Sequence, residues 1–367
     1  MAPTQDALYS EIDLALSWSE RELPERERTK HVHRLHPYLG KFVPQLVEAM
    51  LERYFRPGQR VLDPFAGSGT TLVQALESGL DATGVDIAAF NCLLMGVKTS
   101  AYNLFALETE IRDALSQHGE SSEPSEYVRA WYAPQAAEEL LAYRSAVDGY
   151  EHADVLRVVL ARAARSARRT THFDLDFPRA PQLEPYWCHK HRRECHPVER
   201  AEHFLRRYAL DTLARIKTFA RVRPKGATAA ILHGDAREVA LRECDGIVTS
   251  PPYPGLIDYH EQHRCAYELL GLEDRRAAEL GAAERGTSRG AIQDYADGIA
   301  EVLARCARIL PRRVPVVIVV DDRRDLYPGI LEAAGLRLEE RYRRHVNRRT
   351  GRRAGEFFED VLVARVG

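Results

Sequence analysis

Apolar positions in this chain form short runs toward both ends and fall into helical spacing in the middle. "PQLVEAMLERYF", from Pro44, has helical periodicity with proline at its first position, where the missing N–H has no partner to lose. "RVLDPF" is a short apolar strand. It runs into "AGSGTTLVQALESG", a glycine-rich turn that opens a helix, and "DATGVDI" follows as a second strand ending in an acid. Strand, turn, helix and strand in that order begin a doubly wound α/β sheet. From about residue 100 the strand pattern stops. Residues 100–225 read as mainly helical, broken by the polar stretches "SQHGESSEPS" and "FPRAPQLEP". Strand runs return with "AAILHGD", "DGIVTS", "VPVVIVVDD" and a terminal pair, "LRLEERYRRHV" and "EFFEDVLVARV". The spacing predicts one α/β domain made of residues 1–100 and 226–367, with a helical insertion at 101–225. Two independent domains fit less well, because the late strands need the early ones to complete a sheet of ordinary width.

Composition narrows the class without naming a chemistry. With 367 residues, 45% hydrophobic and 29% charged, the chain is an ordinary globular one. No apolar run is long enough to span a bilayer, and the first 30 residues lack an apolar signal core, so a cytoplasmic protein without membrane contact is expected. Six cysteines in this length do not suggest a disulfide framework. The net charge of −2 gives no global case for nucleic-acid binding, so any such case has to be local.

The glycine turn is the first candidate for chemistry. Gly67 and Gly69 fit G-x-G, but Leu72 stands where a dinucleotide fingerprint has its third glycine, which weakens a nicotinamide reading. What remains is a backbone turn that a ligand can approach closely. Asp63 ends the strand before it. Asp86 ends the next strand about 20 residues later, where an acid can accept both hydroxyls of a ribose.

At this point the sequence resembles a known family. "DPFAGSGTT" is similar to the S-adenosylmethionine motif of DNA amino-methyltransferases, and "SPPY", residues 250–253, to their catalytic motif in its cytosine-N4 variant. "HPYLGKF", residues 36–42, resembles the motif that precedes the cofactor loop. The resemblance covers residues 31–100 and 226–367. It implies a Rossmann-like class I methyltransferase fold, with a mixed seven-stranded sheet and a mainly helical insertion. It also implies S-adenosyl-L-methionine as cofactor. Asp63 and the loop Phe65, Ala66, Gly67, Ser68, Gly69 and Thr70 would hold the methionine part. Asp86, with Ile87 beside it, would bind the ribose, Asp235 of "HGD" would meet the adenine amino group, and Lys41 and Phe42 would line the pocket. Ser250, Pro251, Pro252 and Tyr253 would form the catalytic site.

Physical chemistry gives "SPPY" a purpose. An exocyclic amine is a poor nucleophile because its lone pair is delocalised into the ring. Acceptors around the amino hydrogens favour a tetrahedral nitrogen. The Ser250 hydroxyl and the Pro251 carbonyl could be two such acceptors, held by proline so that little reorganisation is needed. Tyr253 offers a face for a base taken out of the duplex. Serine in place of the carboxylate or amide usual in adenine-N6 enzymes tilts the expectation to cytosine N4. Carbon-5 methylation needs a thiolate that adds to the ring, and none of the six cysteines follows a proline at a strand end. The competing readings are an adenine-N6 enzyme, an RNA base methyltransferase, and a DNA-binding protein of the same fold without turnover.

Double-stranded DNA as partner needs cationic surface. "RYRRHVNRRTGRR", residues 341–353, carries seven arginines and no acid. Arg344, Arg348, Arg349, Arg352 and Arg353 are expected to contact phosphate there, and Arg264, with Asp258 and Tyr259, to lie near the flipped base. A helix over residues 156–169 offers a second basic face through Arg157, Arg165 and Arg168. The insertion is the candidate for reading sequence. Within it, Cys188, His191, Cys195 and His196, with His189 adjacent, are closely spaced. The spacing matches no standard zinc finger and lacks a second ligand pair, so a basic loop over Tyr186 and Trp187 is expected rather than a metal. Nothing resembles a nuclease, so a restriction endonuclease partner would be a separate chain.

Overall fold

The run Pro315–Val320 is buried along its whole length, as happens in a strand covered on both faces of a mainly parallel sheet. The computed structural model describes residues 13–19, 21–37, 42–117, 119–170, 180–188, 191–346 and 357–367. It contains β1 (Arg60–Asp63), β2 (Asp81–Asp86), β3 (Tyr186–Cys188), β4 (Arg193–Cys195), β5 (Ala229–His233), β6 (Gly246–Thr249), β7 (Pro315–Val320), β8 (Leu336–Val346) and β9 (Phe357–Val366). Seven of these form one sheet in the order β5-β2-β1-β6-β7-β9-β8, while β3 and β4 make a separate ribbon. In the large sheet β9 is antiparallel to both neighbours and the other pairs are parallel. This is the mixed seven-stranded, Rossmann-like α/β sheet that the sequence implies.

Helices α1 (Glu25–Arg28) and α2 (Pro44–Tyr54) precede β1, α3 (Thr70–Glu77) joins β1 to β2, and α4 (Ala89–Thr99) leaves β2. Then come α5 (Leu104–Ala114), α6 (Glu126–Trp131), α7 (Pro134–Val147), α8 (Ala153–Ala167) and α9 (Glu202–Val222), all before β5. Between β6 and β7 lie α10 (Tyr259–Gln262), α11 (Arg264–Leu270) and α12 (Arg289–Ile309), and α13 (Tyr327–Ala333) precedes β8. The chain lays β2 and β5 on one side of β1 and β6 on the other. That reversal opens a crevice beyond the carboxyl ends of β1 and β6, where open α/β sheets bind ligands.

The helices from α5 to α9 share one apolar core with Phe90, Leu94 and Val97 of α4 and with Val73 and Leu76 of α3. The centre of that core is α8, and here a sequence expectation fails. Val155, Val158, Ala161 and Ala164 are buried as well as Val159, Leu160 and Ala163, so burial runs round most of the helix, and Arg162 and Arg168 are buried too. Arg162 ion-pairs with Asp211 of α9, and the Arg168 guanidinium lies over Trp131 at 5.8 Å. Arg157 is held by Asp148 and Asp154 at 2.8 and 2.9 Å. Arg157 is therefore committed to ion pairs, and Arg162 and Arg168 to the interior, so the expected basic face loses Arg157 and Arg168.

Candidate active site

The turn after β1 gets its shape from two glycines with positive φ, Gly67 at 51° and Gly69 at 78°. At Gly69 a Cβ would stand 2.7 Å from Cγ of Met95, so both the backbone angle and the space exclude other residues. Leu72 packs against Gly84 of β2, where a Cβ would meet its methyl carbon at 2.8 Å. The small residue that a dinucleotide turn places in the helix stands here in the neighbouring strand. The loop is tied down by Asp86, whose Oδ2 accepts from the Gly67 N–H at 2.8 Å, and from below by the buried Lys98 ammonium, which donates to the Ser68 carbonyl.

The second loop leaves β6 beside it. Thr249 donates to Asp63 Oδ1 at 2.6 Å, linking the ends of β6 and β1. The Ser250 hydroxyl donates to the Val319 carbonyl of β7 at 3.0 Å. Pro251 is buried. The Tyr253 hydroxyl donates to Glu359 of β9 at 3.1 Å. Glu359 is also paired with Arg344, its cross-strand partner on β8, at 2.8 Å.

Between the two loops lies a cleft of about 870 Å³ that is open to solvent. Asp63, Phe65, Ala66, Gly67, Ser68 and Thr70 line one wall, Asp86, Ile87 and Asp235 a second, and Ser250 and Pro252 a third, with Phe42 at the rim. Gly69, Pro251 and Tyr253 are not among the residues that line the cleft, and Lys41 lies outside the described residues. Glu279 and Asn91 also line the cleft, and sequence reasoning missed both. Asn91 donates to Asp86 at 3.1 Å, one helical turn beyond that acid. Glu279 is delivered by the long α11–α12 connection and held by His260. No motif marks it. Tyr259 lines the cleft as well.

Among the described residues, the lining carries four carboxyl groups, Asp63, Asp86, Asp235 and Glu279, and no lysine or arginine. Such a wall suits a cationic ligand and repels a pyrophosphate. Burial pushes the Asp63 carboxyl up to about 6 despite donors from Thr249 and the Phe65 N–H. Burial likewise pushes Asp86 up to about 7, against hydrogen bonds from Ala88, Asn91 and Gly67. At Asp235 burial acts in the same direction, but hydrogen bonds from Arg237 outweigh it and hold the carboxyl below its usual range. The acid at the end of β2, the acid beyond β5 and the loop backbone thus offer separate acceptors along one cleft.

The expected nucleic-acid residues divide. Arg264 is half exposed and lies 3.7 Å from both Glu261 and Glu268, over the Tyr127 ring. Arg344 is buried, because strand alternation turns it inward onto Glu359, with Leu16 and Trp18 covering it. It is not available to phosphate. Arg348, Arg349, Arg352 and Arg353 lie outside the described residues. In the ribbon, Cys188, His191 and Cys195 converge, while His196 is exposed and 3.8 Å from Glu194. His189 lies outside the described residues. Trp187 is 58% exposed rather than packed beneath a loop.

Comparison with known proteins agrees with this geometry. A family model described as DNA methylase, N6_N4_Mtase, matches residues 7–95. The Type II methyltransferase M.MjaII of Methanocaldococcus jannaschii is 34% identical over 431 aligned positions, which cover 93% of this chain and 81% of that protein. The Type II methyltransferase M.MvaI of Kocuria varians is 34% identical over 84 positions, 22% of this chain and 18% of its own. Among solved structures, the rRNA methyltransferase aviRa of Streptomyces viridochromogenes matches at 14% identity and a TM-score of 0.38, over 90% of this chain and 89% of its own. That likeness is too loose to bear on the site. Among the described residues no helix is long and apolar enough to cross a membrane. With a relative of this identity aligned over 93% of the chain and 81% of its own length, the chain belongs to the family of S-adenosylmethionine-dependent type II DNA amino-methyltransferases, the N6/N4 DNA methylases.

Proposed function

We propose that the protein methylates the exocyclic N4 of cytosine within a specific duplex sequence. The observation that carries this reading is the bond from the Ser250 hydroxyl to the Val319 carbonyl. A hydroxyl is both donor and acceptor. With its proton committed to β7, it turns its lone pairs to the cleft as a neutral acceptor for an amino hydrogen. Asp or Asn at this place would suit adenine N6, and serine suits the cytosine amine.

When bound, S-adenosylmethionine supplies an electrophilic methyl group on a sulfonium sulfur. The chain's own residues hold and orient. Asp86 accepts from ribose hydroxyls, Asp235 from the adenine amino group, and Asp63 with the loop backbone secures the methionine part. Ser250, with the Pro251 carbonyl as second acceptor, withdraws the amino hydrogens from the plane of the base, so that the nitrogen lone pair is no longer delocalised. The Ser250 hydroxyl is anchored on the Val319 carbonyl before substrate arrives, so little reorganisation accompanies reaction. A paired base cannot reach this position, so the target must be extruded from the helix. The arginines at 348, 349, 352 and 353 are proposed to contact the phosphates. A cognate restriction endonuclease, where one exists, would be a separate chain.

The test is direct. Duplex DNA treated with the enzyme and cofactor is digested to nucleosides and analysed by mass spectrometry, with single-stranded DNA and RNA in parallel. N4-methylcytosine from the duplex is the expected product. N6-methyladenine would move the reading to the adenine enzymes, and product from RNA alone would remove DNA as the target.

A further inference from the structure

Two cysteines in the insertion are buried without belonging to an apolar core. Cys244 and Cys306 pack inside the core of the α/β sheet, as a small apolar side chain does. Cys188 and Cys195 are buried at 5% and 9% exposure, yet neither is a member of a core cluster. They stand in the β3–β4 ribbon, where Tyr186 pairs with Cys195 and Cys188 with Arg193. Strand alternation therefore puts the two thiols on one face as diagonal neighbours. Between them the chain returns through Arg192, a non-glycine residue at φ 51°, and this turn brings His191 onto the same face. The Cys188 and Cys195 sulfurs and a ring nitrogen of His191 all lie within 4.8 Å of one another. The Nδ1 to Cys195 Sγ distance is 3.4 Å, and the His191 N–H is 3.4 Å from Cys188 Sγ.

We propose that Cys188, His191 and Cys195 bind a zinc ion that staples this ribbon. With Zn–S near 2.3 Å and Zn–N near 2.0 Å, ligand atoms at tetrahedral corners stand about 3.5 Å apart. The His191–Cys195 distance is close to that edge, and the other ligand atoms lie within 4.8 Å. Two thiolates and an imidazole favour Zn²⁺ over the oxygen-seeking divalent cations, and solvent or a further protein donor completes the tetrahedron. The ribbon also needs support. Its strands have three residues each and pair with no other strand, and Leu183 and Trp187 beside it are exposed. Two strands of this length are not stable alone, and units so small are commonly held by a metal or a disulfide. The metal would fix Trp187, Arg192 and Arg193 on an outward-facing finger.

The test uses the full chain. After growth with zinc and dialysis against metal-free buffer, elemental analysis should find one zinc per chain. Exchange for Co²⁺ should give thiolate-to-cobalt charge-transfer absorption and the d–d bands of a tetrahedral site. These readings on the unsubstituted chain do not depend on how well any variant folds. Cys188→Ser, Cys195→Ser and His191→Ala should each lose the metal, and His196→Ala should keep it. Stripping the zinc should shift Trp187 emission. A zinc-free chain overturns the proposal, as does zinc retained in Cys195→Ser. A denatured, unreduced chain with two fewer thiols than its six cysteines overturns it too, since Cys188 and Cys195 would then be disulfide-bonded.

Discussion

The Ser250 side chain is held by a carbonyl far away in the chain, that of Val319, whereas Asp86 is held by Gly67, Ala88 and Asn91, two of them within five residues. Ser250→Ala removes an acceptor but leaves the Val319 carbonyl and the cofactor wall intact, so cofactor affinity should stay the same. The methylation rate should fall roughly 10²-fold or more, the usual effect of deleting one preorganised polar group. Calorimetry and single-turnover rates on the same variant separate the two effects, and a normal rate removes Ser250 from the mechanism. For Asp86 and Asp63, titration gives the check. A cationic ligand favours the carboxylate, so cofactor affinity should climb as pH rises through 6 to 7, with protons released on binding. Asp86→Asn should bind weakly and lose the upper step. In the ligand-free chain the folded state keeps protons that the unfolded state has shed, because both values are raised above 3.8. Stability from this source should therefore fall as pH rises from about 4 to 7, and urea titrations at several pH values would show it. Both acids were legible, since each ends an apolar strand beside a turn. Glu279 and Lys98 were not. Glu279 sits in "AAELGAAERG", which has no pattern. Lys98 is one more cation at the end of a helix until the fold buries it under Ser68.

For the elements, periodicity located strands and helices but not what would cover their polar faces. Arg168, just after α8, read as part of a basic surface because Trp131 on α6, over which it lies, is distant in sequence, while Arg157 is taken up by Asp148 and Asp154 nearby. The terminal hairpin repeats the lesson. Arg341, Arg343 and Arg344 stand together in a basic run, yet β8 pairs Arg341 with Asp360 and Arg344 with Glu359, and lays Arg343 over Phe358. The segment at residues 13–18 then covers this strand, with the Asp13 N–H on the Arg343 carbonyl at 2.7 Å and Ser17 accepting from the His345 N–H at 3.0 Å. Arg344→Ala should therefore act on stability. Leaving the half-buried Glu359 without its cation, with only the Tyr253 hydroxyl donating to it, should cost roughly 2 kcal/mol, read by chemical denaturation, and the salt dependence of DNA binding should not move. Replacing Arg348, Arg349, Arg352 and Arg353 with serine should do the reverse, weakening binding and flattening its salt slope by up to ~0.9 per lost phosphate contact. If Arg344→Ala flattens the slope as well, its burial does not describe the DNA-bound protein.

On the scale of the whole molecule, the sheet order puts the cofactor cleft at the reversal between β1 and β6, and the same sheet carries the insertion on α3 and α4. The α3 helix begins at the glycine turn and α4 just beyond Asp86, and both give side chains to the core that α8 fills. Among the described residues, the helices of this region share a core with α3 and α4, although the sequence signals only a change from strands to helices. A ligand that binds the folded chain alone at a hundred times its dissociation constant stabilises it by ~2.7 kcal/mol. With a shared core, that gain should reach the insertion. Amide exchange in α8 should slow on adding S-adenosylmethionine or its demethylated product, in step with the amides of α3. Leu160→Ala, which empties a fully buried position in α8, should cost about 2–5 kcal/mol and lower the protection of both helices together. If α8 exchanges at an unchanged rate while α3 is protected, the insertion opens independently of the cleft, and any reading of DNA by the insertion would have to reach the catalytic loop through the DNA instead of through the shared core.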